Sequence, residues 1–258
     1  MDLGLTGCTA IVGGASSGMG RAIAIGLAGE GCNVTLFARR RELLEEAAAE
    51  IAALAGPGQA LVVAGDAADP ADLRSLVDTS LKRFGRLDIL VNNSGGPPAG
   101  SFEDFDDDRW RAAWELVFMS NIRLARLALP ALRASGRGRI VNITSSVVKE
   151  PSEGLLLSNS YRPGVIGWAK TLSQEEGRHG ITVNSIAPGF IDTDRMRELY
   201  AGDDPGARTR DEQLIPLGRF GDPREIADTV AFLCSTRASY ISGITVLVDG
   251  GAARGLLS

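Results

Sequence analysis

Histidine occurs once in the 258 residues, as His179, and cysteine three times, as Cys8, Cys32 and Cys234, with no CxxC pair. A zinc centre needs clustered nitrogen and sulfur ligands, so a metal site is not expected. A histidine-centred triad is excluded as well, because His179 falls in a turn before a strand. Any proton transfer must therefore use Tyr, Ser, Lys, Arg or a carboxylate. The scattered thiols read as small core residues of a reduced, cytoplasmic protein. No apolar run approaches the ~20 residues of a membrane span. The opening residues 1–6 carry neither a basic nor a long apolar segment, which predicts no signal peptide. Positive charge is not in surplus either: Lys and Arg number 27 against 32 Asp and Glu, a net charge of -5. Nucleic-acid binding needs clustered basic residues and is not expected. The richest basic group, Arg133, Arg137 and Arg139, lies in a glycine-containing connection and reads as a solvated loop. Linkers, repeats and low-complexity tracts are missing too, so one domain over 1–258 is the economical reading.

What the chain has is alternation. Apolar strand-like runs at 8–12, 33–37, 60–64, 87–91, 139–143, 181–186 and 244–248 are separated by helical patterns. The helices are expected at 21–29, 41–54, 69–84, 107–134, 160–178 and 223–235. The strands are short Val/Ile/Leu runs without polar alternation, which marks a parallel sheet covered on both faces. The expected fold class is α/β, a single-domain doubly wound parallel sheet of about seven strands, with ligands at the strands' carboxyl ends. Residues 194–217 break the regularity with charges, Gly202, Gly206, Pro205 and Pro216. A long irregular insert at the carboxyl end of a strand reads as a substrate lid. Trp114, Trp168 and Phe190 read as core or interface.

The first strand runs into Gly14-Ala15-Ser16-Ser17-Gly18-Met19-Gly20 and then an apolar helix. Glycines at such a turn let the backbone approach an anion, and the helix offers it unpaired N–H groups and its positive dipole end. A phosphate of a dinucleotide is the expected guest.

Together with three later motifs, this turn resembles the short-chain dehydrogenase/reductase family over essentially the whole chain, most nearly its 3-oxoacyl-acyl-carrier-protein reductases. The family's TGxxxGxG turn stands here with Gly13 in place of Thr. Asn92-Asn93-Ser94-Gly95 matches its segment after the fourth strand, and Pro188-Gly189-Phe190-Ile191-Asp192-Thr193 the turn after the sixth. The tail matches through Tyr240-Ile241-Ser242-Gly243 and Val248-Asp249-Gly250-Gly251. The resemblance implies a Rossmann fold and a bound nicotinamide dinucleotide. Gly14, Ser16, Ser17, Gly18, Met19 and Gly20 would form its diphosphate turn, and Asp66 and Ala67 would meet the adenine. Asn93, Ser94 and Gly95 would line the adenosine side. Pro188, Gly189, Ile191 and Thr193 would serve the carboxamide and pyrophosphate. The second strand ends in Ala38 followed by Arg39, Arg40 and Arg41. An acidic residue there would suit a free ribose 2′-hydroxyl, whereas guanidinium forks suit a 2′-phosphate. NADP(H) is therefore expected over NAD(H).

The family's catalytic Asn, Ser, Tyr and Lys are matched once. Ser145 stands at the serine position; gap-free alignment puts Val117, Ser158 and Arg162 at the other three. A serine hydroxyl cannot replace a phenol as acid. Pro163 lacks a backbone donor and is expected within the first helical turn, so that the helix begins at Asn159 or Ser160 and Ser158 lies at or before the cap. Tyr161 has two readings: a relocated proton donor with Arg162 supplying positive charge, or a packing residue beside an Arg162 that holds a ribose or phosphate. Lys149 with Glu153 is a further candidate pair for proton transfer, against a solvated loop.

The expected function is an NADP(H)-dependent reductase of a carbonyl or carbonyl-like small molecule with an atypical proton donor. Its catalytic candidates are Ser145, Tyr161, Arg162 and Lys149. An iminium or activated alkene would need less acid help than a ketone. Two alternatives stay open: a dinucleotide-binding protein without hydride transfer, and a non-redox lyase in the same cleft. The family resemblance also implies a homo-oligomer, dimer or tetramer, joined through helices 107–134 and 160–178 and the tail 240–258.

Overall fold

The computed structural model describes residues 2–54, 56–201, 204 and 206–255. Seven parallel strands form one sheet in the order β3-β2-β1-β4-β5-β6-β7. They are β1 (Thr9–Gly13), β2 (Asn33–Ala38), β3 (Ala60–Ala64), β4 (Ile89–Asn92), β5 (Arg139–Ile143), β6 (Thr182–Pro188) and β7 (Thr245–Val248). Each agrees with an expected strand to within two residues at either end. Register runs without a break, for example Ala10↔Val34 on one side of β1 and Ala10↔Ile89 on the other.

Helices α1 (Gly18–Gly29), α2 (Arg41–Ala53) and α3 (Pro70–Phe84) precede α4 (Asp107–Ala113) and α5 (Ser120–Ser135). Then follow α6 (Leu156–Glu176), α7 (Asp194–Tyr200), α8 (Ala207–Leu214) and α9 (Pro223–Cys234). The period-two geometry of the strands divides their side chains between two cores. Ala10, Val12, Ile89, Val91, Val141 and Ile143 face α1, α2 and α9 through Ile23, Leu27, Leu44, Ile51, Ile226 and Val230. Ile11, Leu90 and Ile140 face α3, α5 and α6 through Leu73, Leu76, Leu124, Leu132 and Ala169. Cys8, Cys32 and Cys234 are free and buried in the first of these cores.

Two expectations are corrected. Residues 107–134 do not form one regular α-helix, because Trp114–Met119 winds as a π-helical segment between α4 and α5. Helix α6 begins at Leu156, so Pro163 sits inside it rather than in its first turn. The proline removes one helical hydrogen bond, but tertiary contacts hold the early turns in place. Leu157 and Ser158 are buried. The Asn159 amide clasps Ser152, donating to its carbonyl at 2.8 Å and accepting from its N–H at 3.2 Å. Ser158 therefore lies on the helix, one turn before Arg162 and on the same face.

Of the insert expected at 194–217, the described part carries α7 and α8. Gly202, Asp203 and Pro205 lie outside the described residues, as do 256–258 of the tail expected to join subunits.

Candidate active site

Strands β2 and β3 are added on one side of β1 and β4 to β7 on the other, so the strand order reverses between β1 and β4, the switch point at which open α/β sheets bind ligands. A cleft of about 760 Å³ opens there. The glycine turn forms its floor. Gly14 and Gly18 take positive φ, +60° and +55°, a conformation that side-chain-bearing residues resist. Gly20 has a different reason to be bare: a Cβ there would stand 2.2 Å from the Gly14 carbonyl oxygen and 2.7 Å from Asn93 Nδ2. Asn93 in turn donates from Nδ2 to the Gly13 carbonyl at 3.0 Å, so β4 braces the turn from behind. A Cβ added to Gly18 would meet the Thr193 methyl at 3.1 Å, which shows how closely the two walls approach.

Above the turn, Arg40 donates from Nη2 to Ser17 Oγ at 2.9 Å and to Ser16 Oγ at 3.4 Å. This places a guanidinium over the helix N-terminus at the end of β2, and Arg39 lines the cleft beside it. Arg41 is directed elsewhere, toward Glu45 on its own helix at 3.9 Å. Asp66 and Ala67 form the wall past β3. The Asp66 carboxylate accepts the Ala68 N–H at 2.9 Å while its own N–H donates to Asp72 at 2.8 Å. Ser94 and Gly95 continue the wall after β4. The cleft thus gathers Gly14, Ser16, Ser17, Gly18, Met19, Gly20, Arg39, Arg40, Asp66, Ala67, Asn93, Ser94, Gly95 and Thr193.

Pro188, Gly189 and Ile191 are not brought to this cleft. Pro188 ends β6 in the buried interior, and Gly189 is bare because Asp249 approaches to 2.7 Å of where its Cβ would be. Ile191 is buried against Gly221 and lines a second cavity of about 550 Å³ with Phe190, Leu217 and Gly250.

Ser145 follows β5 and caps a short 3-10 turn (Ser146–Val148), its Oγ accepting the Val147 N–H at 3.4 Å. Lys149 closes that turn. Arg162 reaches from α6 to the same strand end, donating from Nη1 to the carbonyls of Thr144 at 2.8 Å and Ile143 at 3.3 Å. Its Nε is buried and has no partner. Burial, with a smaller contribution from the Arg195 charge, lowers the Arg162 pKa to about 10, so the side chain is cationic at neutral pH. Tyr161 is held apart from this group. Its hydroxyl donates to the Trp110 carbonyl at 3.1 Å, its ring meets Trp110 edge-on at 5.7 Å, and burial raises its pKa. Of its two readings, the geometry is that of packing.

Sequence reasoning missed Leu116, Gly96, Arg195 and Glu198, all of which line the cleft. Leu116 comes from the π-helical segment, which a sequence period of 3.6 does not reveal. A Cβ on Gly164 of α6 would press within 2.9 Å of Phe118, so the π segment lies directly on α6. Arg195 carried a readable signal. It stands in the first turn of α7, where the helix dipole disfavours a cation.

The chain matches over residues 14–253 the family described as Enoyl-(Acyl carrier protein) reductase. It is 36% identical over 253 residues to a 3-oxoacyl-[acyl-carrier-protein] reductase of Synechocystis sp., covering 96% of this chain and 97% of that protein. The Escherichia coli protein of the same name is 37% identical over 245 residues, covering 95% and 97%. Among solved structures, L-sorbose reductase from Gluconobacter frateurii, complexed with NADPH and L-sorbose, superposes with a TM-score of 0.94 at 35% identity, covering 99% of this chain and all of that one. An NADPH-dependent reductase involved in bacilysin biosynthesis gives a TM-score of 0.93 at 30% identity, covering 96% and 99%. The chain belongs to the short-chain dehydrogenase/reductase family of oxidoreductases.

Proposed function

We propose that this protein is an NADP(H)-dependent reductase of a small carbonyl or carbonyl-like molecule that works without the family's tyrosine and lysine. The observation that carries the reading is the cleft itself, where the glycine turn sits under a guanidinium fixed to Ser17. The amides after Gly14 suit a diphosphate, and Arg39 and Arg40 suit a further phosphate at the end of β2. Two structural relatives, one complexed with NADPH and one NADPH-dependent, support the same choice of dinucleotide. When bound, the reduced dinucleotide supplies a hydride to the substrate carbon.

The chain's own residues then handle the oxygen. Ser145 Oγ accepts the Val147 N–H, which leaves its proton to donate to the substrate oxygen. The Arg162 charge, fastened at the adjoining carbonyl, favours the negative charge that grows there. A proton from water completes the alcohol. Tyr161 does not serve as donor, since its hydroxyl is committed to Trp110. Helices α7 and α8, the described helices of the insert, would serve as a lid over the substrate end.

A second reading keeps the dinucleotide and drops the chemistry, and it draws on Val117 and Ser158 being buried where the family has Asn and Tyr. NADPH oxidation against ketones, diketones, 3-oxoacyl thioesters and imines separates the two. Turnover of any member supports the reductase; cofactor binding with no turnover supports the second. We place the enzyme in the cytoplasm as a homo-oligomer. Tyr240 and Ile244, which leave apolar surface exposed near the tail, support association, and a purely monomeric sedimentation profile would count against it.

A further inference from the structure

The chain leaves β7 through Asp249, Gly250 and Gly251, with the two glycines at φ +66° and +84°, and turns back across the carboxyl edge of the sheet. Small residues follow, Ala252-Ala253-Arg254-Gly255, of which Arg254 and Gly255 are exposed. A terminal segment that buries so little apolar surface is expected to fray. Here every backbone N–H from Gly251 to Gly255 has an acceptor instead. The Asp249 carboxylate accepts from Gly251 at 3.0 Å and from Ala253 at 2.8 Å, and its carbonyl accepts from Ala252 at 3.3 Å. The remaining two N–H groups go to Glu150, where one carboxylate oxygen accepts from Arg254 at 2.9 Å and from Gly255 at 3.0 Å.

Glu150 belongs to the opposite side of the site. Its own N–H donates to the Ser146 carbonyl at 3.2 Å, so it continues directly from the turn that Ser145 caps. Strand β6 lies between β5 and β7, and the segment from β7 must therefore cross the end of β6 to reach it. Two strand spacings come to about 10 Å, within reach of residues 249–254 at about 3.3 Å each. On the way the segment touches both roots of the insert that leaves β6. Asp249 approaches to 2.7 Å of where a Gly189 Cβ would stand, and the Gly250 carbonyl accepts the Leu217 N–H at 3.3 Å. Gly250 and Gly251 also line the cavity of about 550 Å³ beside Leu217. One short segment thus joins the roots of the insert to the turn at Ser145.

Resting on the reductase reading above, we infer that residues 249–255 form a strap across the substrate end, and that Glu150, by holding the two amides at its tip, is a specificity-determining residue that limits how long a substrate Ser145 can receive. Ligands of an open α/β sheet lie beyond the carboxyl ends of its strands, which is the edge the strap crosses. A compact substrate fits inside the strap. A long acyl chain meets the strap's backbone and has to displace it. Glu150 acts by position, since it touches the strap and not the reacting atoms. Its two bonds are exposed and individually modest, so one substitution releases the strap without disturbing the buried cores.

The test compares ethyl 3-oxobutanoate with ethyl 3-oxododecanoate, by NADPH oxidation and by calorimetric titration of the NADP-loaded protein. The parent protein should favour the short ester. In Glu150→Ala, and in a chain ending at Ala253, kcat/KM for the long ester relative to the short one should rise by about ten-fold or more, the scale on which pocket size discriminates. The rise should come from a lower KM for the long ester. Glu150→Gln keeps a carbonyl oxygen for the two amides and should retain most of the parent ratio. NADPH affinity should stay within about two-fold throughout. An unchanged ratio in Glu150→Ala and in the shortened chain overturns the inference and leaves the reductase reading intact. An equal loss for both esters with a lowered thermal midpoint also overturns it, because the clasp would then be structural only, and so does failure of both esters to bind. The same shift in ester binding with no oxidation of NADPH supports the strap and counts against the reductase reading. Hydrogen exchange at the Arg254 and Gly255 amides checks the clasp directly: slow exchange in the parent that is released in Glu150→Ala supports it, and equal exchange in the two contradicts it.

Discussion

Arg162 Nη1 lies 2.8 Å from the Thr144 carbonyl oxygen, so a cation carried by α6 is fastened to the peptide that leads into Ser145. One helical turn earlier on the same face, Ser158 takes the place where the family carries its phenol. On the proposed reading, the site works with a hydroxyl and a guanidinium where the resembled family has a phenol and an amine, and it keeps the strand end that presents Ser145.

Replacing Ser145 with alanine should lower turnover by about 100-fold, the scale seen when one oxyanion donor is removed. Tyr161→Phe should lower it by no more than about three-fold, because the hydroxyl serves the Trp110 carbonyl. Its effect belongs to stability, about 1 kcal/mol for the lost hydrogen bond. Steady-state kinetics paired with thermal melts separates the two outcomes, and a large rate loss in Tyr161→Phe would restore tyrosine as the donor.

Arg40→Ala should weaken NADPH by about ten-fold or more and leave NADH nearly unchanged, since only the former carries a ribose 2′-phosphate for the guanidinium to hold. Fluorescence titration with both coenzymes measures this. A parallel loss for both would instead mean that Arg40 organises the turn through Ser16 and Ser17.

Gly20→Ala drives a Cβ to 2.2 Å from the Gly14 carbonyl oxygen, and backbone cannot yield as a side-chain tip can. The variant should lose about 1–3 kcal/mol of stability and bind dinucleotide poorly. Gly29, at the other end of the same helix, has open space around its Cβ position, so Gly29→Ala should be neutral or stabilising by up to about 1 kcal/mol. Chemical denaturation of the pair checks the contrast.

The Arg162 cation gives activity a basic limit. Burial lowers its pKa to about 10, so the protonated form persists through neutral pH and is lost as pH rises through that value. The expected profile of kcat/KM is level on the alkaline side of neutrality and falls by one proton near pH 10. The fall should vanish in Arg162→Met, whose residual rate carries no such group. An identical alkaline limb in that variant would assign the titration elsewhere.

Much of this was legible in the residues. The apolar run at 139–143 matched its strand to the residue because a strand buried on both faces admits little else, and the run at 60–64 did so at the half-buried sheet edge. The glycine turn and Arg39-Arg40 were legible for a related reason: backbone conformation and charge are local properties. Where distant contacts decide, sequence reasoning failed. Pro163 reads as a first-turn residue of a helix that begins at Asn159 or Ser160, yet the clasp of Asn159 on Ser152 and the burial of Leu157 extend α6 about one turn further upstream, to Leu156. That shift moved Ser158 from a loop onto the face shared with Arg162. The π-helical winding at Trp114–Met119 has no sequence period of its own, so Leu116 could not be placed in the cleft beforehand. Ile191, assigned by motif, has its side chain against a separate cavity, while Thr193 two residues on lines the cleft.

The central claim is that a guanidinium-capped glycine turn selects the phosphorylated dinucleotide. Equilibrium titration of the unaltered protein with NADPH and NADH in the same low-salt buffer tests it most directly. The account predicts that NADPH binds at least about ten times more tightly, the worth of one charge-assisted contact. Equal affinities, or no binding of either coenzyme at millimolar concentration, would contradict it.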